Sequence, residues 1–175
     1  MTIELYTILY NIFVNFGNTD TVKFGFERSV KMIEQDTIKL LRECDAGVKM
    51  GISSIDDVLG RVKSRKLIDF LNSCRKEHDD LRELIEKKLF EYGDSGKDAN
   101  PIASGMSKIK TEFKLAVDMS DETIADLMTD GCNMGVKSLN RYLNEYAAAE
   151  ERAKDICKKL IKLEEKLANE MKSYL

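Results

Sequence analysis

Apolar residues recur every three or four positions through most of this chain. From Val30 to Leu59 the series Ile38, Leu41, Val48, Ile52, Ile55 and Leu59 marks one face of a helix. A second series, Leu67, Leu71, Cys74, Leu81 and Ile85, flanked by Phe70, Leu84 and Leu89, predicts another. A third helix is expected from about Met106 to Leu143 and a fourth from about Ala149 to Tyr174. Helix-favouring residues dominate and the one proline is Pro101, so the fold class is all-α.

One segment occurs twice. Gly47-Val48-Lys49-Met50-Gly51-Ile52-Ser53-Ser54-Ile55, with Leu59, returns 84 residues later as Gly131-Cys132-Asn133-Met134-Gly135-Val136-Lys137-Ser138-Leu139, with Leu143. The same frame inside two helical stretches predicts a duplicated helical hairpin. Gly60 follows the first copy and Asn144 the second. Both residue types suit the left-handed conformation that commonly ends a helix, which predicts turns near 60–64 and 144–148. Turns this short make the helices they join antiparallel. Glycines Gly47, Gly51, Gly131 and Gly135 form i,i+4 pairs inside helices, where each costs about 0.5–1 kcal/mol against alanine. Close packing of the first and third helices across a pseudo-two-fold axis would offset that cost; room for a ligand is the competing explanation.

Between the hairpins, residues 92–105 have the composition of a linker, rich in Gly, Asp, Ser and Asn. Fully extended, those residues reach roughly 46–50 Å, and a helix of about 27 residues is ~40 Å long. The linker can therefore traverse a bundle lengthwise. A duplicated hairpin with one long crossover resembles the ferritin-like superfamily, small bacterial ferritin-like proteins of unassigned function in particular. The resemblance spans about Val30 to Leu175 and rests on topology and repeat. It implies an up-down-down-up four-helix bundle over 28–175, with hairpins 28–91 and 106–175, preceded by an apolar extension or accessory helix at 1–27.

Four polar residues interrupt the apolar faces. Asp45 lies within the first series, His78 within the second, Glu77 beside it, and Glu164 between Leu160, Ile161, Leu167 and Ala168. With turns centred near 62 and 146, Asp45, Glu77, His78 and Glu164 fall at one height, with Asp130 nearby. Buried charges must be paired or bind metal, and mid-bundle is where the ferritin-like resemblance places di-iron ligands. That superfamily uses a Glu from each of two helices and Glu-x-x-His from the others. Here Arg75, not Glu, precedes His78 by three, and the fourth helix has no histidine. The expectation is a structural carboxylate–histidine network with no cofactor, in a non-enzymatic stress-related or interaction protein. The alternative is a metal-handling or redox protein using a reduced iron or manganese site at those four residues.

Charge and cysteine usage narrow the remaining classes. Charged residues make up 34% of 175 residues, interspersed in sign, with net charge -3. No basic run points to nucleic acid. Cys44, Cys74, Cys132 and Cys157 form no C-x-x-C pair and fall on apolar positions, which fits a reducing cytoplasm. Cys74 and His78 are four apart and could touch, but no orienting third group makes them a nucleophilic pair. The apolar run Thr2–Phe16 stops at Gly17, short of a membrane span, and lacks the basic start of a signal peptide. An accessory helix, a poorly ordered tail, sequence upstream of a true start at Met32, and a peripheral membrane anchor remain open for it. A homodimer is likewise an open option.

Overall fold

The computed structural model describes residues 19–96 and 120–175, with side chains from residue 24 onward. All regular structure among them is α-helical: α1 Thr19–Leu59, α2 Arg65–Glu91, α3 Asp121–Glu145 and α4 Glu151–Met171. No helix among the described residues is long and apolar enough to cross a membrane. At 41 residues α1 is about 62 Å long, against ~40 Å for the 27 residues of α2. It runs through position 28 without a break.

The core forms two apolar clusters. One gathers Leu40, Leu41, Cys44 and Val48 of α1 with Leu81, Ile85 and Leu89 of α2, Leu139 and Tyr142 of α3, and Ile156, Cys157 and Leu160 of α4. The other joins Ile55 and Val58 to Leu67, Leu71 and Cys74, and Ile124, Met128 and Cys132 to Leu167, Ala168 and Met171. The part of α1 farther from the 60–64 turn (40–48) thus meets late α2, while 55–58 meets early α2, and late α3 meets early α4, so each consecutive pair is antiparallel. α2 buries Leu67, Leu71, Cys74, His78, Leu81, Ile85 and Leu89, the face that its three- and four-residue spacing predicts.

The helix ends differ in detail from expectation. α1 stops at Leu59 and the turn begins at Gly60, but the left-handed glycines are Gly93 (φ 67°) and Gly96 (φ 81°), beyond α2. Gly93 closes a Schellman motif: its N–H donates to the Phe90 carbonyl and the Asp94 N–H to that of Leu89, both at 3.0 Å. α3 does not run on from Met106. Ser120 is extended (ψ 160°) and its hydroxyl caps the helix by accepting from the Thr123 N–H at 3.1 Å, so the helix starts at Asp121. α3 continues through Asn144 to Glu145 before the turn. The expected crossing at 92–105 lies outside the described residues from 97 onward, as do 1–18, which hold most of the expected N-terminal extension.

In each pair the turn before the second helix is held by a side chain of the other pair. Asp121 of α3 accepts from the Lys63 and Ser64 N–H groups before α2, at 2.7 and 2.8 Å. Thr37 Oγ1 of α1 accepts from the Glu150 N–H at 2.9 Å, and Asp36 from that of Ala148 at 3.2 Å, before α4. Thr37 and Asp121 are 84 residues apart, the interval of the repeated segment. Losing a helix-terminal acceptor typically costs about 0.5–2 kcal/mol. Asp121→Ala should therefore lower stability by roughly 1–2 kcal/mol and Thr37→Ala by about 1 kcal/mol, measured by urea unfolding. Unchanged midpoints would mean that water replaces these acceptors without loss.

Candidate functional site

Between the two apolar clusters lies a polar layer where His78 and Glu164 meet. His78 sits mid-α2 with no exposed surface, and Glu164 mid-α4 is 8% exposed. Their Nε2 and Oε1 atoms are 3.3 Å apart, while His78 Nδ1 lies 2.8 Å from the Cys74 carbonyl oxygen one turn back. Both ring nitrogens thus face acceptors. An imidazolium satisfies both by donating twice, whereas a neutral ring can donate only once. Burial pulls the imidazole pKa down, but the hydrogen bond and charge of Glu164, with the Cys74 carbonyl, outweigh it and hold it above the ordinary 6.5.

The repeated glycines make room for this pair. A Cβ on Gly51 would lie 2.7 Å from both Cδ2 and Nε2 of His78 and 3.4 Å from Glu164 Oε1. On Gly135 it would lie 3.7–3.8 Å from the Glu164 carboxyl. Each glycine therefore faces the polar side chain on the helix that follows its own.

The first and third helices pack against each other, but Gly47 and Gly131 are not where their backbones touch. A Cβ on Gly47 would meet only the ends of Leu160 and Leu139, at 3.5 and 4.0 Å, and one on Gly131 would meet nothing within 4 Å. Instead a cavity of ≈ 300 Å³ lies between α1 and α3. Both copies of the repeat line it at equivalent positions: Gly47 and Gly131, Met50 and Met134, Gly51 and Gly135, Ser54 and Ser138. Glu164, Cys132 and Leu167 also face it, with Glu43, Lys137 and Arg141 among the other lining residues. The repeat itself was the sequence signal for this cavity.

The other expected site residues lie elsewhere. Asp45 is fully buried, but it pairs with Lys49 at 2.8 Å and packs on Gly96, where a Cβ would be 2.7 Å from its Oδ2. Helical side chains lean toward the N-terminus of their own helix. Asp45 therefore leans away from the 60–64 turn and His78 toward it, so residues level in backbone height diverge at their tips. Glu77, one residue from His78 and so about 100° around the helix, is 42% exposed at its side chain and pairs with Lys166 of α4 at 2.5 Å. Asp130 is exposed. Among the described residues no group of three His, Cys, Asp or Glu side chains could hold a metal ion.

The chemistry open to the layer is correspondingly narrow. Burial, then the Glu164 charge, pushes the Cys132 thiol far above its ordinary range, and burial lifts Cys74 to about 11. Neither is a thiolate near neutrality, so neither is a nucleophile. His78, enclosed by its two partners and Gly51, has no nitrogen free to take a substrate proton. No family model, curated protein or solved structure matches the chain.

Two measurements check this geometry. Gly131→Ala should stabilise by about 0.5–1 kcal/mol, because the helix gains and nothing is displaced. Gly51→Ala should destabilise by roughly 1–3 kcal/mol, because a buried ring must move. Equal effects in thermal melts would contradict the contacts described. The second concerns pH. A group whose pKa rises on folding stabilises fully below its unfolded value, and this is lost as pH rises through the folded value. The stability advantage of wild type over His78→Gln should therefore be fully present below the ordinary imidazole value of about 6.5 and shrink as the pH rises above it. An advantage growing with pH would mean that the ring is buried neutral.

Proposed function

We propose that the chain is a non-enzymatic, ferritin-like helical bundle in which a histidine–carboxylate hydrogen bond occupies the mid-bundle position. The grouping of the core supports the topology. Residues 40–48 of α1 and early α4 share one cluster with late α2 and late α3, and 55–58 of α1 and late α4 share the other with early α2 and early α3, as an up-down-down-up path requires. The 84-residue interval between the capping residues Thr37 and Asp121 supports a duplicated hairpin. A reducing, cytoplasmic setting is supported by four free, buried cysteines. A stress-related or interaction role follows from the reading as a binding or structural protein.

The observation that carries the reading is that His78 and Glu164 satisfy each other. The imidazole has one nitrogen on Glu164 and the other on the Cys74 carbonyl, so coordination would require breaking one of those bonds. Asp45 and Glu77, the remaining donors of a reduced metal site, are held by Lys49 and Lys166. Elemental analysis of full-length protein expressed with added iron or manganese tests this. Metal well below one ion per chain, unchanged in His78→Gln, is the expected result. Stoichiometric iron or manganese that disappears in His78→Gln would overturn it in favour of a metal-handling protein.

A further inference from the structure

We propose that the apolar face of α1 beyond the end of the bundle is a docking surface for the chain's own N-terminal segment, residues 5–16, folded back as an antiparallel partner. Asp36 and Thr37 bond the backbone before α4, so they mark that end of the bundle. The part of α1 that precedes them, residues 19–35, adds about 26 Å of helix. Phe26, Val30 and Ile33 continue, at intervals of three and four, the stripe that Thr37, Leu40, Cys44 and Val48 bury in the core. Met32 and Ile33 still line a cleft with Ala148 and Ala149. Phe26 and Val30 are only half-buried and belong to neither apolar cluster. A helix of about 12–15 residues is marginal in water by itself, so this arm needs a partner on its apolar face.

The segment ahead of α1 has the matching pattern. Glu4, Thr7, Asn11 and Asn15 fall on one narrow stripe of a helical wheel, with Leu5, Ile8, Leu9, Ile12, Phe13 and Phe16 on the other side. Gly17 and Asn18 stand directly before Thr19; glycine suits the end of one helix and asparagine the N-cap of the next. A reversal at those two residues sets Leu9 against Phe26 and Leu5 against Val30, each pair on one helical face because both spacings are four. So short a link holds the segment at a millimolar effective concentration, far above that of a second copy or another protein at micromolar levels. The polar stripe carries no Lys or Arg, which an interfacial membrane helix would present to anionic lipid. The proposal rests on α1 and the sequence before it, not on the ferritin-like reading, so either can fail alone.

Hydrogen–deuterium exchange of the full-length protein, read by mass spectrometry, tests it. Amides of residues 5–16 should exchange at least about tenfold more slowly than in an unstructured chain, equally at micromolar and at a hundredfold higher concentration. Leu9→Asp should abolish that protection and speed exchange over residues 24–33, leaving α2, α3 and α4 unchanged. Leu9→Cys combined with Phe26→Cys should form a disulfide within one chain when treated with oxidised glutathione, whereas Asn11→Cys combined with Phe26→Cys should not. Unprotected amides over 5–16 in wild type overturn the proposal. Protection that grows with concentration gives the face to a second copy, and protection that requires phospholipid vesicles gives the segment to a membrane; either result overturns it. Protection untouched by Leu9→Asp shows that the segment packs elsewhere.

Discussion

The hydrogen bond between His78 and Glu164 is the constraint around which the two helix pairs are arranged. Each side chain is buried mid-helix, where an unpartnered polar or charged group costs several kcal/mol, on the order of a domain's whole stability. One lies on α2 and the other on α4, so each pair supplies the partner the other needs. A slide of one pair against the other by a single helical turn would separate them. The apolar clusters above and below tolerate many arrangements, because hydrophobic burial is non-directional. The polar layer between them has directional bonds, and it selects one register.

The ends of the bundle reinforce that register. Asp121 secures the backbone ahead of α2, and Asp36 and Thr37 secure that ahead of α4. Beyond α2, Arg42 pairs with Asp94 at 2.6 Å, and Asp45 packs on Gly96, so the departing chain is pinned to α1. Fixed in this way at the middle and at both ends, the two pairs hold one register, and both copies of the repeat line the space between α1 and α3. At Gly51 the wall is backbone because any larger residue would displace His78.

Much of this was legible in the sequence. The three- and four-residue spacing of Leu67, Leu71, Cys74, His78, Leu81 and Ile85 predicts the buried face of α2, since a helical period leaves little freedom in which side is covered. Placing Glu164 among apolar neighbours likewise predicts its burial. Ser64 and Ser120 could have been read as helix starts, because each hydroxyl caps the third residue on, and Ser120 would have ended the expectation of a helix continuous from Met106.

What the sequence by itself determined is the helical class, the breaks at Gly60 and after Glu91, the faces that go inward, and the repeat. All of these are local or periodic, and one chain's residue order carries them. Tertiary structure alone decided which inward polar residues meet. Asp45 and His78 stand level in residue counting, yet their side chains lean in opposite directions along antiparallel axes, and Asp45 finds Lys49 and Gly96 instead. Glu77 is one residue from His78, and 100° of helical rotation carries it to the surface and Lys166. It also decided that the glycines open a space instead of closing a contact. That depends on how the two pairs dock, which is fixed by bonds whose partners lie 57 to 113 residues apart in the chain.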